Sequence, residues 1–295
     1  MDRILFGDNQ FFSINHISEH KANLQSIKFK EDFTILETID YARNEGVETF
    51  MCTTHDRMNS ICEKIRQDKI KYKHFSIYPC MPYAHKYANS ITEHGILKTI
   101  DQYVPGNFFN SLLKGGKAMI IKDYLKLMEL MIDAEMKMFR GINTPVIFLQ
   151  NVITDLLLGL QMTDVLIAFH DYIKYKYSAE PGFITMNMPK LLNVLENKGI
   201  NNPIICCSIN KAGFRMSGSI DNYESVLNSK QVRLIAMQVL GGGSIPVYDA
   251  IDYVCQLPNI ESILFGASSK QNIHQTVTYI KNSDIKYQLN NELAF

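Results

Sequence analysis

Four stretches of the 295-residue chain combine residue types that can do chemistry. "THDR" sets His55 beside Asp56, and "PYAHK" sets Tyr83 close to His85 and Lys86. Histidine titrates near neutral pH and a neighbouring charge biases it, so both stretches suit acid–base work. "SINKAGFRMSG" places Lys211 directly after an apolar run, with Arg215 four residues on. A lysine that is desolvated, or that sits beside another cation, has a depressed pKa and can attack a carbonyl to form a Schiff base. A solvated loop lysine or an anion clamp is the plainer reading. The fourth stretch is a pair, "VLGGGSIP" and "GASSKQNI". Glycines such as Gly242 and Gly243 let backbone approach a ligand closely. Ser268, Ser269, Lys270 and the amides of a following helix would complete an anion cradle. A serine there acting only as a helix N-cap is the competing reading.

These residues need elements to hold them. Apolar, β-branched runs recur: "RILFGDN", "VETFMCTTHD", "FSIYPCMPYAHK", "TPVIFLQNV", "GFITMNM", "NPIICCSINKAG", "VRLIAMQVLGGG" and "IESILFGASS". Between them lie segments of helical period, among them "FTILETIDYARNEG", "SICEKIRQ", "IIKDYLKLMELMIDAEMKMF", "TDVLIAFHDYIKYKY", "PKLLNVLENKG", "NYESVLNS" and "PVYDAIDYVCQL". About eight strand–helix alternations in one chain of this length predict an α/β fold. The specific expectation is a single (β/α)8 TIM barrel over residues 1–295, ahead of a doubly wound sheet. Residues 98–118 fit no unit and read as an enlarged loop, a candidate lid.

In such a barrel the working groups stand at the C-terminal strand ends and in the loops that follow. That rule gathers Asp8, Asn9, Gln10 and His16 after the first strand, Asn151 after the fourth, and Asn210 with Arg215 after the sixth. All seven are candidate substrate-binding residues. His16, His55 and His85, with Asp8, Asp56 or Glu93, could converge on a divalent ion. No tight His-x-His or HExxH spacing supports this, so no metal is assigned.

Composition narrows the partners. Lys+Arg 30 balances Asp+Glu 30, so no basic excess points to nucleic acid or anionic lipid. "VITDLLLGLQMTDVLIAF" is interrupted by Asp155 and Asp164, too soon for a membrane span. "MDRILFGDNQFF" lacks the pattern of a signal peptide, and the six cysteines form no paired framework. The expectation is a cytoplasmic protein with reduced thiols, acting on a small carbonyl or phosphorylated molecule.

"IAMQVLGGGSI" followed by "IESILFGASSKQNIHQTV" resembles the last two strands of the aldo-keto reductases, and "NEGVETFMCTTH" is similar to that family's second strand. The resemblance implies that Ser268, Ser269, Lys270 and Asn272 meet the phosphate of NADP(H). It also implies a catalytic Asp, Tyr, Lys and His at the ends of strands two to four. This chain departs from that tetrad. Met51 replaces the Asp, Asp56 falls where the Tyr should, and the third and fourth strands end "YPCMP" and "LQN". Tyr83, with His85 and Lys86, is a relocated donor set. At one position, Lys211, the chain also resembles class I aldolases.

Three readings follow. One is a reductase-like barrel enzyme with altered catalytic groups, its set drawn from His55, Asp56, Tyr83, His85 and Lys211. Another is a lyase, aldolase or isomerase using Lys211. The third is a non-catalytic barrel with an anion pocket.

Overall fold

The computed structural model describes residues 1–12, 19–83 and 117–293. Eight parallel strands, β1 (Ile4–Gly7), β2 (Thr49–Thr53), β3 (Ser76–Met81), β4 (Val146–Leu149), β5 (Glu180–Thr185), β6 (Ile204–Ser208), β7 (Arg233–Met237) and β8 (Ile260–Phe265), pair in sequence order. Pairing of β1 with β8, Ile4 opposite Ile263 and Phe6 opposite Phe265, closes the barrel. The fold expected from the alternation is the fold observed.

Both faces of each strand are buried, which is why the runs are nearly all apolar rather than alternating. Outward-facing Phe6, Phe50, Ile77, Leu149, Phe183, Ile205 and Leu234 pack under the helices in one large core. Inward-facing Leu5, Met51, Tyr78, Cys80, Phe148, Ile184, Cys206 and Ile235 fill the barrel itself. Gly182 is dictated by this filling, because a Cβ there would lie 2.2 Å from the fully buried Phe148 ring.

The helices are α1 (Glu19–Lys28), α2 (Asp32–Asn44), α3 (Arg57–Gln67), α4 (Lys117–Met136), α5 (Asn151–Gly159), α6 (Thr163–Tyr172), α7 (Met188–Asn197), α8 (Ile220–Ser229), α9 (Val247–Gln256) and α10 (Lys270–Leu293). Their ends follow local chemistry. Gly46 stops α2 at φ 89°, its N–H donating to the Arg43 carbonyl at 2.8 Å. Asn187 caps α7 by accepting from Lys190 N–H, and Ser219 caps α8 by accepting from Asn222 N–H. Among the described residues no helix is long and apolar enough to cross a membrane. His16, His85, Lys86 and Glu93 lie outside the described residues, as does nearly all of the 98–118 loop.

Candidate functional site

A cavity of about 570 Å³ opens at the C-terminal end of the barrel. Its floor is the uppermost inward layer: Met51, Cys80, Ile184, Cys206, Met237 and Leu264. These side chains carry no charge. Burial, together with the negative charge of Asp8, pushes the Cys80 thiol well above its ordinary value, and burial alone raises that of Cys206. Neither is a thiolate nucleophile at neutral pH.

The wall over β1, β2 and β3 is polar. Asp8 follows β1, and its Oδ2 accepts from both the backbone N–H of Thr53 at 2.7 Å and the Thr53 hydroxyl at 2.6 Å. Burial raises the Asp8 carboxyl above the ordinary carboxylate range, and the two Thr53 bonds only partly offset it. Tyr83, two residues beyond β3, lines the cavity and is buried. Burial, then the charges of Asp8 and Asp56, raise its phenol, so it remains an O–H donor through neutral pH. Behind it the His55 ring lies 5.4 Å from that of Tyr83 and stacks on Phe12 at 4.1 Å. His55 Nδ1 accepts from the Arg57 N–H at 3.1 Å, which fixes the ring. His55 thus supports the Tyr83 wall without lining the cavity, and Asp56 is exposed beside it.

Over β4 the lining residues are Gln150 and Asn151. Over β6, Asn210 is buried and turns its whole amide to the loop, accepting from Phe214 N–H at 2.8 Å and donating to the Phe214 carbonyl at 3.0 Å. Asn210 therefore shapes the turn that carries Phe214 and Arg215 to the cavity rim. Arg215, at φ 55°, is the cation among the described lining residues. Lys211 stands exposed on the same turn and does not line the cavity. The desolvation an imine-forming lysine requires is not found there, because the Asn210–Phe214 bonds fold the turn outward at that residue.

The last wall is backbone. After β7, Gly241–Gly243 form a single 3-10 turn with positive φ throughout, and a Cβ on Gly243 would meet nothing within 4 Å. Gly242, Gly243 and Gly266 all line the cavity, and it continues past the end of β8 to Thr276 on α10 and Gln25 on α1. This glycine wall fits a ligand lying flat across β7 and β8.

The motif "GASSK" contributes less directly than expected. Ser269 Oγ accepts from Asn272 N–H at 3.2 Å, the N-cap reading of that residue. Lys270 Nζ lies over the Tyr41 ring at 5.6 Å, and the Ser268 carbonyl accepts from Lys28 Nζ. Ser268, Ser269, Lys270 and Asn272 border the cavity without lining it. Of the expected substrate residues, Asp8, Asn9, Gln10, Asn151 and Arg215 line one cavity and Asn210 stands beside it; of the expected catalytic residues, Tyr83 lines it while His55, Asp56 and Lys211 do not. Among the described residues, no group of three or more His, Cys, Asp or Glu is arranged to hold a metal. Sequence reasoning passed over Gln25 and Thr276, which lie on helices rather than at strand ends.

Fold and cavity define the class: a closed (β/α)8 barrel with a cavity at its C-terminal end. No protein-family model matches the chain, and no curated protein does. Among solved structures, a Pseudomonas aeruginosa protein assigned to the aldo-keto reductases superposes with TM-score 0.59 at 11% identity, over 96% of this chain and 90% of that one. An aldo-keto reductase from a Medee basin deep-sea metagenome library gives 0.51 at 10% identity, over 96% and 92%. The resemblance read in the last two strand ends therefore extends, at the level of fold, over almost the whole chain.

Proposed function

We propose that this barrel is an oxidoreductase that binds a nicotinamide dinucleotide across the ends of β7 and β8 and acts on a small carbonyl compound. One observation carries the reading. The cavity runs without interruption from an uncharged floor on the barrel axis, over a wall of glycines, to a polar end between α1 and α10. An extended dinucleotide could lie along this lining with its reacting ring at the axis. The likeness of fold to aldo-keto reductases supports it, as fold-level analogy does.

When bound, the cofactor supplies or accepts a hydride. The chain supplies the rest. Among the described residues, Met51, Cys80, Gln150 and Asn151 occupy the strand ends where the resemblance calls for ionisable groups. Tyr83 takes over the donor role: its phenolic O–H, held by the packed His55 ring, hydrogen-bonds the substrate oxygen as negative charge develops. Burial, with the charges of Asp8 and Asp56, keeps that proton on the phenol. Arg215 would draw a substrate carrying a carboxylate or phosphate toward the rim. His85 belongs to this proposed set by its place in the sequence.

Nicotinamide fluorescence tests the binding step, and Tyr83→Phe tests the donor. The variant is expected to keep dinucleotide affinity within about threefold while carbonyl turnover falls about 10²- to 10⁴-fold, the usual range for losing a positioned acid. If neither NADH nor NADPH changes fluorescence on mixing with the protein, the reading is wrong.

A further inference from the structure

Two buried side-chain atoms among the described residues have no hydrogen-bond partner, Gln10 Oε1 and Gln25 Oε1, and both glutamines line the same cavity. A buried acceptor left without a donor is costly, and native folds keep few of them. Both lie toward the polar end, with Gly266 and Thr276.

The identity of these atoms as acceptors is fixed by their surroundings in the case of Gln10. Its Nε2 donates to the Gly7 carbonyl at 2.7 Å, so exchanging amide N and O would set two carbonyl oxygens against each other. Gly266 adjoins the orphan oxygen so closely that a Cβ would come within 2.3 Å of Gln10 Oε1. Any ligand crossing the end of β8 passes directly over this pair. Gln25 is half-buried on α1, and its side chain can turn toward such a ligand while Gln10 stays pinned.

Three of the described side-chain donors near this end are engaged elsewhere. Lys28 donates to the Ser268 carbonyl, Lys270 covers Tyr41, and the Thr276 hydroxyl donates to the Asn272 carbonyl at 2.8 Å. The two unpartnered atoms, Gln10 Oε1 and Gln25 Oε1, are both acceptors. Carbonyl oxygens repel phosphate oxygens and attract hydroxyl or amino hydrogens.

We propose that Gln10 and Gln25 form a subsite between α1 and α10 for an uncharged hydrogen-bond donor, a ribose hydroxyl or exocyclic amine of a nucleoside. The assignment rests on the dinucleotide reading, since it takes the far end of that same ligand. It places any phosphate of the ligand outside these two amides.

Calorimetric titration of the full chain with adenosine tests this. Adenosine should bind the wild type, and inorganic phosphate at tenfold excess should not displace it. Gln25→Met, of similar length without an acceptor, should weaken adenosine about five- to tenfold, whereas Gln25→Glu, which keeps an acceptor, should stay within twofold of wild type. Gly266→Ala, which displaces the Gln10 amide, should reproduce the Gln25→Met loss while amide exchange in α1 stays at the wild-type rate. Absence of adenosine binding, displacement by phosphate, or equal affinity for wild type and Gln25→Met would overturn the subsite. Gln25-dependent adenosine binding without nicotinamide chemistry would leave the subsite standing and remove the oxidoreductase reading. Nicotinamide turnover with adenosine binding indifferent to Gln25 would do the reverse.

Discussion

At the residue scale the proposed chemistry turns on Asp8 and Tyr83, two groups whose surroundings keep them protonated further up the pH range than usual. For Asp8 this links pH to stability. Its carboxyl is raised in the folded chain above the ordinary 3.8, chiefly by burial. Below that ordinary value folded and unfolded chains both hold the proton, and Asp8 contributes nothing that depends on pH. As pH rises from there, the unfolded chain ionises first, so the folded state loses stability until the raised value is passed, and the loss then stays constant. An Asp8→Asn chain has no such titration, yet its amide oxygen can still accept from Thr53. The wild-type minus Asp8→Asn difference in unfolding free energy is expected to fall as pH rises from about 4 and then level off. Urea unfolding across pH 4–8 reads it; a difference that grows with pH would show that the Thr53 bonds outweigh burial.

At the element scale, the strands were legible and two helices were not. "PIICCSI" or "PVIFLQ" can only be buried strands, because continuous short apolar runs bounded by Pro and polar residues suit a sheet covered on both faces. Helix α1, "EHKANLQSIK", has no continuous apolar stripe and gave no periodic signal. Helix α5 was hidden inside "VITDLLLGLQMTDVLIAF", where one apolar stretch serves two helices split at Gly159–Met162. The missing α1 is why Gln25 was missed as a site residue, while Asp8, Gln10 and Asn151 followed from strand ends alone. What holds the corner after α1 is tertiary: Arg57 donates to Asp32 Oδ1 at 2.7 Å, to the Phe29 carbonyl at 2.7 Å and to the Lys30 carbonyl at 3.1 Å. This guanidinium ties the α1–α2 corner to the start of α3. Replacing Arg57 with Ala should speed amide exchange through residues 23–33 at least tenfold and cost about 1–3 kcal/mol of stability, as expected when partners of a charged donor are left bare. Exchange rates in α8 and α9 serve as the control; equal acceleration everywhere would mean global unfolding rather than release of α1.

For the whole molecule, the two ends of the barrel divide the work, chemistry at the C-terminal end and closure at the other. The N-terminal face carries a set of ion pairs. The Met1 ammonium pairs with Glu261 Oε1 at 2.5 Å, Arg233 bridges Glu261 and Glu180, and Arg3 grips Asp284 with both Nε and Nη2. Arg3 Nη1 also donates to the Ile260 carbonyl at 2.6 Å, so one side chain joins β1, the start of β8 and α10 across the seam where the barrel closes. Most surface ion pairs contribute little, but a bidentate guanidinium that also satisfies a strand-end carbonyl is a better-placed case. Arg3→Met keeps the length of the apolar stem and removes all four contacts to Asp284 and Ile260. The expected result is a loss of about 1–3 kcal/mol in unfolding free energy, with dinucleotide affinity unchanged because the cavity lies at the opposite end of every strand. Denaturant unfolding and fluorescence titration on the same variant decide it. A variant that unfolds like the wild type would show the seam to be held by strand pairing alone, and one that loses ligand affinity would mean the two ends are coupled through the strands.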